Sequence, residues 1–292
     1  MKLPGEKRIN AYLALFGGLS FMCFAAILIK ASGAPGIITT FYRMTIGTLF
    51  LTIPFVVSRI KSEHKLPKKG VILALLAGVC FGNDMAIWST GVNISNATIP
   101  TLFANTAPLW VGLGTMFVFK EKHKTSFWVG LFLALSGIPM IVFKDLHASN
   151  GIIKGGLLGL GAGVFYGIFY LLAQSSRKLI DTISFLYIYT LTAAVILFSY
   201  SLIFGYHFIG YDTNTYLIFV AFGLGVQVIG WYLISYSQGF LPATIVAPTL
   251  LGQPVLTAFL ATLLLNEHLT LWHIVGGIIV ITGIYIIHFS KK

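Results

Sequence analysis

The sequence predicts an all-α integral membrane protein whose ten transmembrane helices form two inverted five-helix repeats. Three observations lead to this fold class. Only 9% of the 292 residues are charged and 57% are hydrophobic, whereas a soluble domain carries about 25% charged residues. Apolar runs long enough to cross a bilayer recur along the chain. Residues of the first half also recur in the second half at a constant offset of 146 positions.

The apolar runs define the spans. Each is about 20 residues long, which is the length a helix needs to cross the hydrocarbon core. The runs lack the period-two alternation of membrane β-strands, so a helical bundle is predicted. The ten predicted spans lie near residues 10–29, 37–58, 70–91, 97–119, 126–144, 151–173, 182–204, 214–237, 243–265 and 270–289.

Lysine and arginine residues predict the orientation of the spans. If the N-terminus is cytoplasmic, 15 of these cations lie on the inner side, and the outer side holds only Lys30, Lys144 and Lys154. Cytoplasmic loops carry the excess of Lys and Arg in membrane proteins. We therefore expect a multi-pass protein of the cytoplasmic (inner) membrane with both termini in the cytoplasm.

The repeat predicts two domains, 1–146 and 147–292, with five spans each. Its matched residues need no gap over nearly fifty positions. They include Ala97, Pro108, Glu121, Gly130 and Gly137, which recur as Ala243, Pro254, Glu267, Gly276 and Gly283. Because five is an odd number, the two halves enter the membrane from opposite sides. Such inverted repeats are typical of carriers that alternate the access of a site at the repeat interface.

Prolines and glycines mark special helix positions. Pro100 and Pro108 in span 4, and Pro248 and Pro254 in span 9, are predicted to interrupt their helices, because proline removes a backbone donor. These breaks either bend the helices or line a cavity. In span 6, glycine recurs every fourth residue from 155 to 167, which predicts a smooth face for close helix packing.

Buried amides and aromatic residues are the first candidates for a solute site. Gln227 and Gln253 each lie ten residues from the cytoplasmic end of their span, about 15 Å deep at 1.5 Å per residue. They either form a hydrogen bond with each other that holds the two helices together, or they present donors and acceptors to a solute. The other candidate lining residues are Trp88, Asn105, Trp110 and Trp231, because aromatic walls with a few polar groups suit organic solutes.

Two opposite charges lie well inside adjacent spans. Arg43 in span 2 and Asp84 in span 3 are six and seven residues below the same outer boundary. Because an unpaired charge in a membrane helix is costly, they are expected to meet or to face water. One interpretation is a fixed ion pair between spans 2 and 3. The other is a pair in the outer pathway, where Asp84 takes a proton or Arg43 holds a substrate carboxylate.

Several stretches resemble the EamA-type branch of the drug/metabolite transporter (DMT) superfamily. They are Asn83-Asp84-Met85-Ala86-Ile87-Trp88, Leu102 to Trp110, Gln227 to Tyr232, and Gln253-Pro254-Val255 ahead of Glu267. The resemblance covers the whole chain and implies a ten-helix carrier with a central cavity, lined mainly by helices 3, 4, 8 and 9. It also implies export of amino acids or other small metabolites. Many relatives have Glu before the repeated proline, where this chain has Ala107 and Gln253.

We therefore expect a monomeric secondary carrier, acting in efflux, that moves small polar or amphipathic metabolites such as amino-acid-like solutes or drugs. Its partners are the solute and the lipid bilayer, with a coupling proton as an open alternative and no nucleic acid. The sequence predicts no cofactor, no metal site and no enzymatic activity, because nucleophile, metal-helix and phosphate-loop motifs are missing. The alternatives are a membrane-embedded enzyme acting on a lipid-linked group and a non-transporting scaffold.

Overall fold

The computed structural model describes residues 5–62, 65–95, 98–141, 152–265 and 271–290. Within these ranges, nine helical segments are long and apolar enough to cross a membrane, and the apolar helix Thr125–Ile141 is shorter. Every regular element of the described chain is helical. The predicted fold class is confirmed. The predicted cytoplasmic termini, residues 1–4 and 291–292, and the repeat residues Ala97 and Glu267 lie outside the described residues.

Fourteen α-helices are numbered in chain order. They are α1 Gly5–Met22, α2 Phe24–Ser32, α3 Gly36–Lys61, α4 Lys68–Ile94, α5 Thr98–Ala104, α6 Ala107–Val118, α7 Thr125–Ile141, α8 Ile152–Arg177, α9 Thr182–Ile203, α10 Thr213–Ala221, α11 Trp231–Gln238, α12 Ala243–Thr249, α13 Gln253–Leu265 and α14 Leu271–Ser290. A π-helical segment, Phe222–Gly230, joins α10 to α11, and a 3₁₀ turn, Leu250–Gly252, joins α12 to α13.

The chain divides into two compact units that do not follow the order of the sequence. The first unit contains Met1–Ala86 and Phe169–Pro242, and the second contains Ile87–Ile168 and Ala243–Lys292. Each unit therefore combines segments from both halves of the chain. The domain division at residue 146 stays a prediction.

The first unit is built on the pair α3 and α9, which begin at residues 36 and 182, an offset of 146. The two helices run antiparallel. Phe41 near the start of α3 lies 5.8 Å from Phe198 near the end of α9, and Phe55 stacks at 4.3 Å on Tyr187 near the start of α9. Helices that occupy equivalent places in the sequence thus run in opposite directions.

The two ends of this first unit differ in chemistry. Basic residues end α3, where Arg59 also forms a salt bridge of 3.1 Å with Asp181, the N-cap of α9. At the other end of the α3–α9 pair, Phe41 packs at 5.2 Å on Phe208, whose carbonyl accepts a 2.6 Å hydrogen bond from the Tyr42 hydroxyl. One end is cationic and the other is aromatic.

The second unit is built on the pair α7 and α14, which begin at Thr125 and Leu271, again 146 positions apart. Glycines allow their backbones to meet. A methyl group on Gly130 would lie 2.8 Å from the carbonyl oxygen of Gly283, and one on Gly137 would lie 2.6 Å from that of Gly276. The offset of 146 relates Gly130 to Gly276 and Gly137 to Gly283, so each contact is the repeat equivalent of the other. The helix crossing therefore has an approximate two-fold symmetry.

Two of the four prolines in spans 4 and 9 of this unit follow helix breaks, as predicted. The helix of span 4 ends before the turn at Asn105 and Thr106, and Pro108 lies in the first turn of the next helix, which begins at Ala107. Span 9 is interrupted by its 3₁₀ turn just before Pro254. Two of the predicted interruptions are absent. Pro100 lies in the first turn of α5, where a missing backbone donor costs little because the first turn has no acceptor for it. Pro248 lies inside α12, which continues to Thr249.

The glycine face of α8 packs closely, as the sequence predicts. A methyl group on Gly159 would overlap the backbone of Pro100, and one on Gly163 would lie 2.8 Å from the Thr106 hydroxyl. On Gly167 a methyl group would lie 2.6 Å from Trp110. Backbone approach of this kind is the usual role of small residues in membrane helices.

Candidate functional site

A hydrogen-bonded group of side chains lies inside the first unit, around Gln227 of the π-helical segment. Arg43 of α3 donates from Nε to Oε1 of Gln227 at 3.0 Å. The Gln227 amide nitrogen donates to the Tyr189 hydroxyl at 3.0 Å and to Thr190 Oγ1 at 2.9 Å, both on α9. Arg43 is 3% exposed and Gln227 is 0% exposed. Both amide hydrogens of Gln227 are therefore used inside the protein.

Local backbone features allow this close packing. A methyl group on Gly47, one turn after Arg43, would lie 2.7 Å from Cγ of Gln227. Gly223 approaches α3 in the same way, since its methyl group would lie 2.7 Å from the Ile46 side chain. The π-helical turn also alters the helical register at Gln227, and such turns occur frequently at functional sites.

Four residues, Arg43, Phe81, Tyr189 and Gln227, form what we call the central quartet. Tyr189 is the repeat equivalent of Arg43, and Gln227 is that of Phe81, each at the offset of 146. The Arg43 guanidinium carbon lies 5.9 Å from the Phe81 ring centroid, and the Phe81 ring lies 5.6 Å from the Tyr189 ring. The offset therefore relates the contact of Arg43 with Gln227 to that of Tyr189 with Phe81. It likewise relates the contact of Arg43 with Phe81 to that of Tyr189 with Gln227.

Asp84 lies beside the central quartet. It follows Phe81 by three residues on α4, so both side chains lie on one helical face. Asp84 is 1% exposed, and within the described part of the chain its Oδ2 atom has no hydrogen-bond partner. Arg43 interacts electrostatically with Asp84. Of the two expectations for Arg43 and Asp84, exposure to water is wrong for this conformation, because both side chains are buried.

An aromatic cluster surrounds the quartet. Trp231, the first residue of α11, is 0% exposed, and its ring lies 5.0 Å from Phe81, 5.3 Å from Phe169 and 6.1 Å from Tyr189. The ring of Phe222 lies 4.8 Å from the Arg43 guanidinium carbon, within range of a cation–π interaction. The site combines one guanidinium, one carboxylate, one amide and several aromatic rings.

The other four candidate residues lie in the second unit. Trp88 donates from Nε1 to Thr101 Oγ1 at 2.9 Å, and Trp110 donates from Nε1 to Thr106 Oγ1 at 3.2 Å. Asn105 lies at the helix break of span 4, and Gln253 begins α13 after the 3₁₀ turn of span 9. All four of these side chains are half-buried.

Sequence reasoning missed four residues of the site: Phe81, Tyr189, Thr190 and Phe222. The signal for Tyr189 was available, because the offset of 146 carries Arg43 onto it. Nothing comparable points to Phe222, whose place over Arg43 depends on the π-helical segment that it begins. Within the described residues, no group of three or more His, Cys, Asp or Glu side chains could hold a metal ion.

Comparisons with known proteins cover nearly the whole chain. The sequence model of the "EamA-like transporter family" matches residues 9–143 and again residues 153–289. The chain is 22% identical to the "Uncharacterized transporter YdfC" of Bacillus subtilis (strain 168), over 86% of this chain and 85% of that protein. It is 24% identical to the "Uncharacterized transporter YoaV" of the same organism, over 91% and 92%. A solved structure titled "Crystal structure of protein" superposes with a TM-score of 0.82 at 16% identity, covering 97% of this chain and 98% of that one. That likeness shows the fold.

Proposed function

Because the chain belongs to the EamA-like transporter family and is a multi-pass membrane transporter, we propose that it is a secondary carrier working by alternating access. Its substrates are small polar or amphipathic metabolites, and its direction is efflux. It acts as a monomer in the cytoplasmic membrane, with both termini in the cytoplasm. The resemblance to the EamA-type branch, noted from the sequence, is confirmed.

The observation that carries this proposal is the buried network of Arg43, Gln227, Tyr189 and Thr190. Ionisable groups inside membrane helices are expensive and usually belong to a transport pathway. Carriers with inverted repeats bind their substrates near the bilayer midplane, between segments related by the repeat. The central quartet consists of residues related in this way, which supports it as the centre of the solute site.

The residues proposed to bind the solute in the first unit are Arg43, Asp84, Gln227 and Trp231. For the second unit, taken by itself, the proposal names Trp88, Asn105, Trp110 and Gln253, which carry amide and indole groups. Helix breaks such as the one at Asn105 also free backbone carbonyls, which suit a cavity better than lipid.

The test is flux across proteoliposomes that contain the purified full-length protein. A panel of labelled amino acids, monocarboxylates and amphipathic drugs is offered to each preparation. We expect flux of at least one class, and its loss in Arg43→Gln. The matched control is Arg59→Gln, which removes an arginine of the same helix at the partly exposed salt bridge with Asp181. Absence of flux for the whole panel, with turnover of a lipid-linked substrate instead, would contradict the carrier.

A further inference from the structure

We propose that a proton on Asp84 travels together with a solute carboxylate held at Arg43, so that the carrier exports a monocarboxylate with an apolar body by electroneutral symport with a proton, down the gradient of the carboxylate itself. This inference rests on the proposed function, whose solute site it shares. It adds the substrate class and the coupling ion.

The placement of Arg43 and Asp84 is the first support. The Phe81 ring lies 5.9 Å from the Arg43 guanidinium carbon, and Asp84 lies one turn further along the same face of α4. The two side chains are 3% and 1% exposed, so water screens neither charge. Each charge therefore strongly influences the energy of the other.

Charge balance is the second support. When Asp84 is ionised in the empty carrier, its charge compensates that of Arg43, and the net charge of the pair is zero. A carboxylate bound at Arg43 adds one negative charge. A proton that forms an O–H bond with the Asp84 carboxylate restores neutrality, and it leaves to solvent on the other side when the carboxylate leaves. A carrier with only the proton or only the carboxylate would hold an uncompensated buried charge, which is strongly unfavourable. Such half-loaded carriers are therefore rare, which couples the two fluxes.

The burial of Asp84 favours a proton over a larger cation. Its Oδ2 atom has no hydrogen-bond partner among the described residues, so a proton there completes a carboxyl group. A proton needs no extra volume.

The neighbouring groups leave Asp84 as the titrating residue. From its own helix, the Cys80 thiol interacts with it, and from α3 the Arg43 guanidinium does. From α9, the phenol of Tyr189 faces the quartet through its bond to Gln227. Thiols and phenols ordinarily stay neutral, and arginine charged, over the physiological range. The rings of Phe81 and Phe222 supply the apolar walls for the body of the solute.

The test uses phenylacetate and its neutral analogue phenylacetamide, with the purified full-length protein in lipid nanodiscs. Calorimetric titration in two buffers of different ionisation enthalpy gives the number of protons taken up with each phenylacetate. We expect about one. At pH values at which Asp84 is ionised in the empty carrier, the affinity for phenylacetate should fall about tenfold for each unit that the pH rises, because one proton is taken up with each phenylacetate. Phenylacetamide should show neither effect.

Variants locate the proton. Asp84→Asn is permanently neutral, so phenylacetate should bind it without proton uptake and with no dependence on pH. Asp84→Glu keeps a carboxyl group and should keep both effects, which preserves the test if the asparagine variant does not fold. The matched control is Asp181→Asn, which removes an acid at the salt bridge with Arg59 and should show the proton uptake and pH dependence of the wild type.

Three results would overturn the inference. The first is that phenylacetate binds without proton uptake. The second is that phenylacetate fails to bind at any pH. Tight, pH-independent binding of zwitterionic phenylalanine that is lost in Asp84→Asn would assign Asp84 to the ammonium group instead. In each case, flux of another solute would leave the carrier proposal standing, whereas absence of all flux would refute the carrier itself.

Discussion

Replacing Gln227 by leucine keeps the size of the side chain and removes its amide group. The variant loses three hydrogen bonds, one from Arg43 and one each to Tyr189 and Thr190. Interhelical hydrogen bonds in membranes contribute about 0.6 kcal/mol on average and at most about 1.7 kcal/mol. Gln227→Leu should therefore lower the free energy of unfolding by about 2–5 kcal/mol. Thr190→Val deletes one of these bonds and should cost about a third as much.

Two measurements on each variant separate a structural role from a binding role. Denaturation in increasing sodium dodecyl sulfate gives the stability, and substrate affinity is measured on the folded fraction. If Gln227 also contacts the solute, its affinity should fall beyond what the loss of folded protein explains. Thr192→Val is the matched control, because among the described residues the Thr192 hydroxyl bonds only the Ile188 carbonyl of its own helix. A Gln227→Leu variant with wild-type stability and affinity would refute both roles.

Three further perturbations test the buried charges, the helix crossing and the loop acid. Arg43→Gln and Asp84→Asn should each lower the free energy of unfolding by about 3–5 kcal/mol, and the double variant should recover folding without transport. Full recovery of transport in the double variant would show that the two charges only hold their helices together. Gly137→Ala should destabilise by about 1–3 kcal/mol, because its methyl group meets the opposing backbone, whereas Gly161→Ala meets only one atom at 3.9 Å and should be neutral in the same denaturation assay. Burial acts to raise the pKa of Asp181, but hydrogen bonds from Ser184 and the charge of Arg59 outweigh it and hold this pKa below its ordinary value. The stability from Asp181 should thus be full above about pH 4, the ordinary value for Asp, and be lost at lower pH, so that the melting temperatures of wild type and Asp181→Asn converge there.

The sequence was sufficient for the fold because its strongest signals are physical requirements of the membrane. Each apolar run must form a helix, since lipid offers no partner for free backbone groups. The run at 182–204 became the helix Thr182–Ile203, and the run at 37–58 became Gly36–Lys61. The offset of 146 predicted equivalent helices, and Thr125 and Leu271 begin two of them.

The site was less accessible to sequence reasoning. Arg43 and Asp84 were predicted as site residues because a charge buried in a membrane helix is costly. Gln227 was predicted because it lies deep within its span. Such polar residues are easily recognised in apolar runs. Their partners did not stand out. Thr190 resembles an ordinary residue of an apolar helix, and Tyr189 differs from one only through its repeat offset from Arg43. The three-dimensional packing of α9 brings both residues to Gln227. Composition also could not predict the π-helical segment, which changes the helical register within an otherwise regular span.

Orientation in the membrane is the last prediction, and the chemistry of the first unit supports it. Its cationic end, with Arg59 after α3, should face the cytoplasm because cytoplasmic loops are enriched in Lys and Arg. Its aromatic end, with Tyr42 bonded to the Phe208 carbonyl, should lie at the outer interface, where aromatic belts form.

Single cysteines placed at the two ends test this orientation in intact cells, after Cys80 has been replaced by alanine. Cys23 is buried and can remain. Ile209 is 79% exposed beyond the aromatic end, so Ile209→Cys should react with a membrane-impermeant maleimide from outside the cell. Lys178→Cys, directly after α8 at the cationic end, should react only after permeabilisation. Labelling of Lys178→Cys in sealed cells would reverse the orientation of every span. Both charge asymmetry and the aromatic belt would then have failed for the same molecule, because each assigns the same end to the cytoplasm.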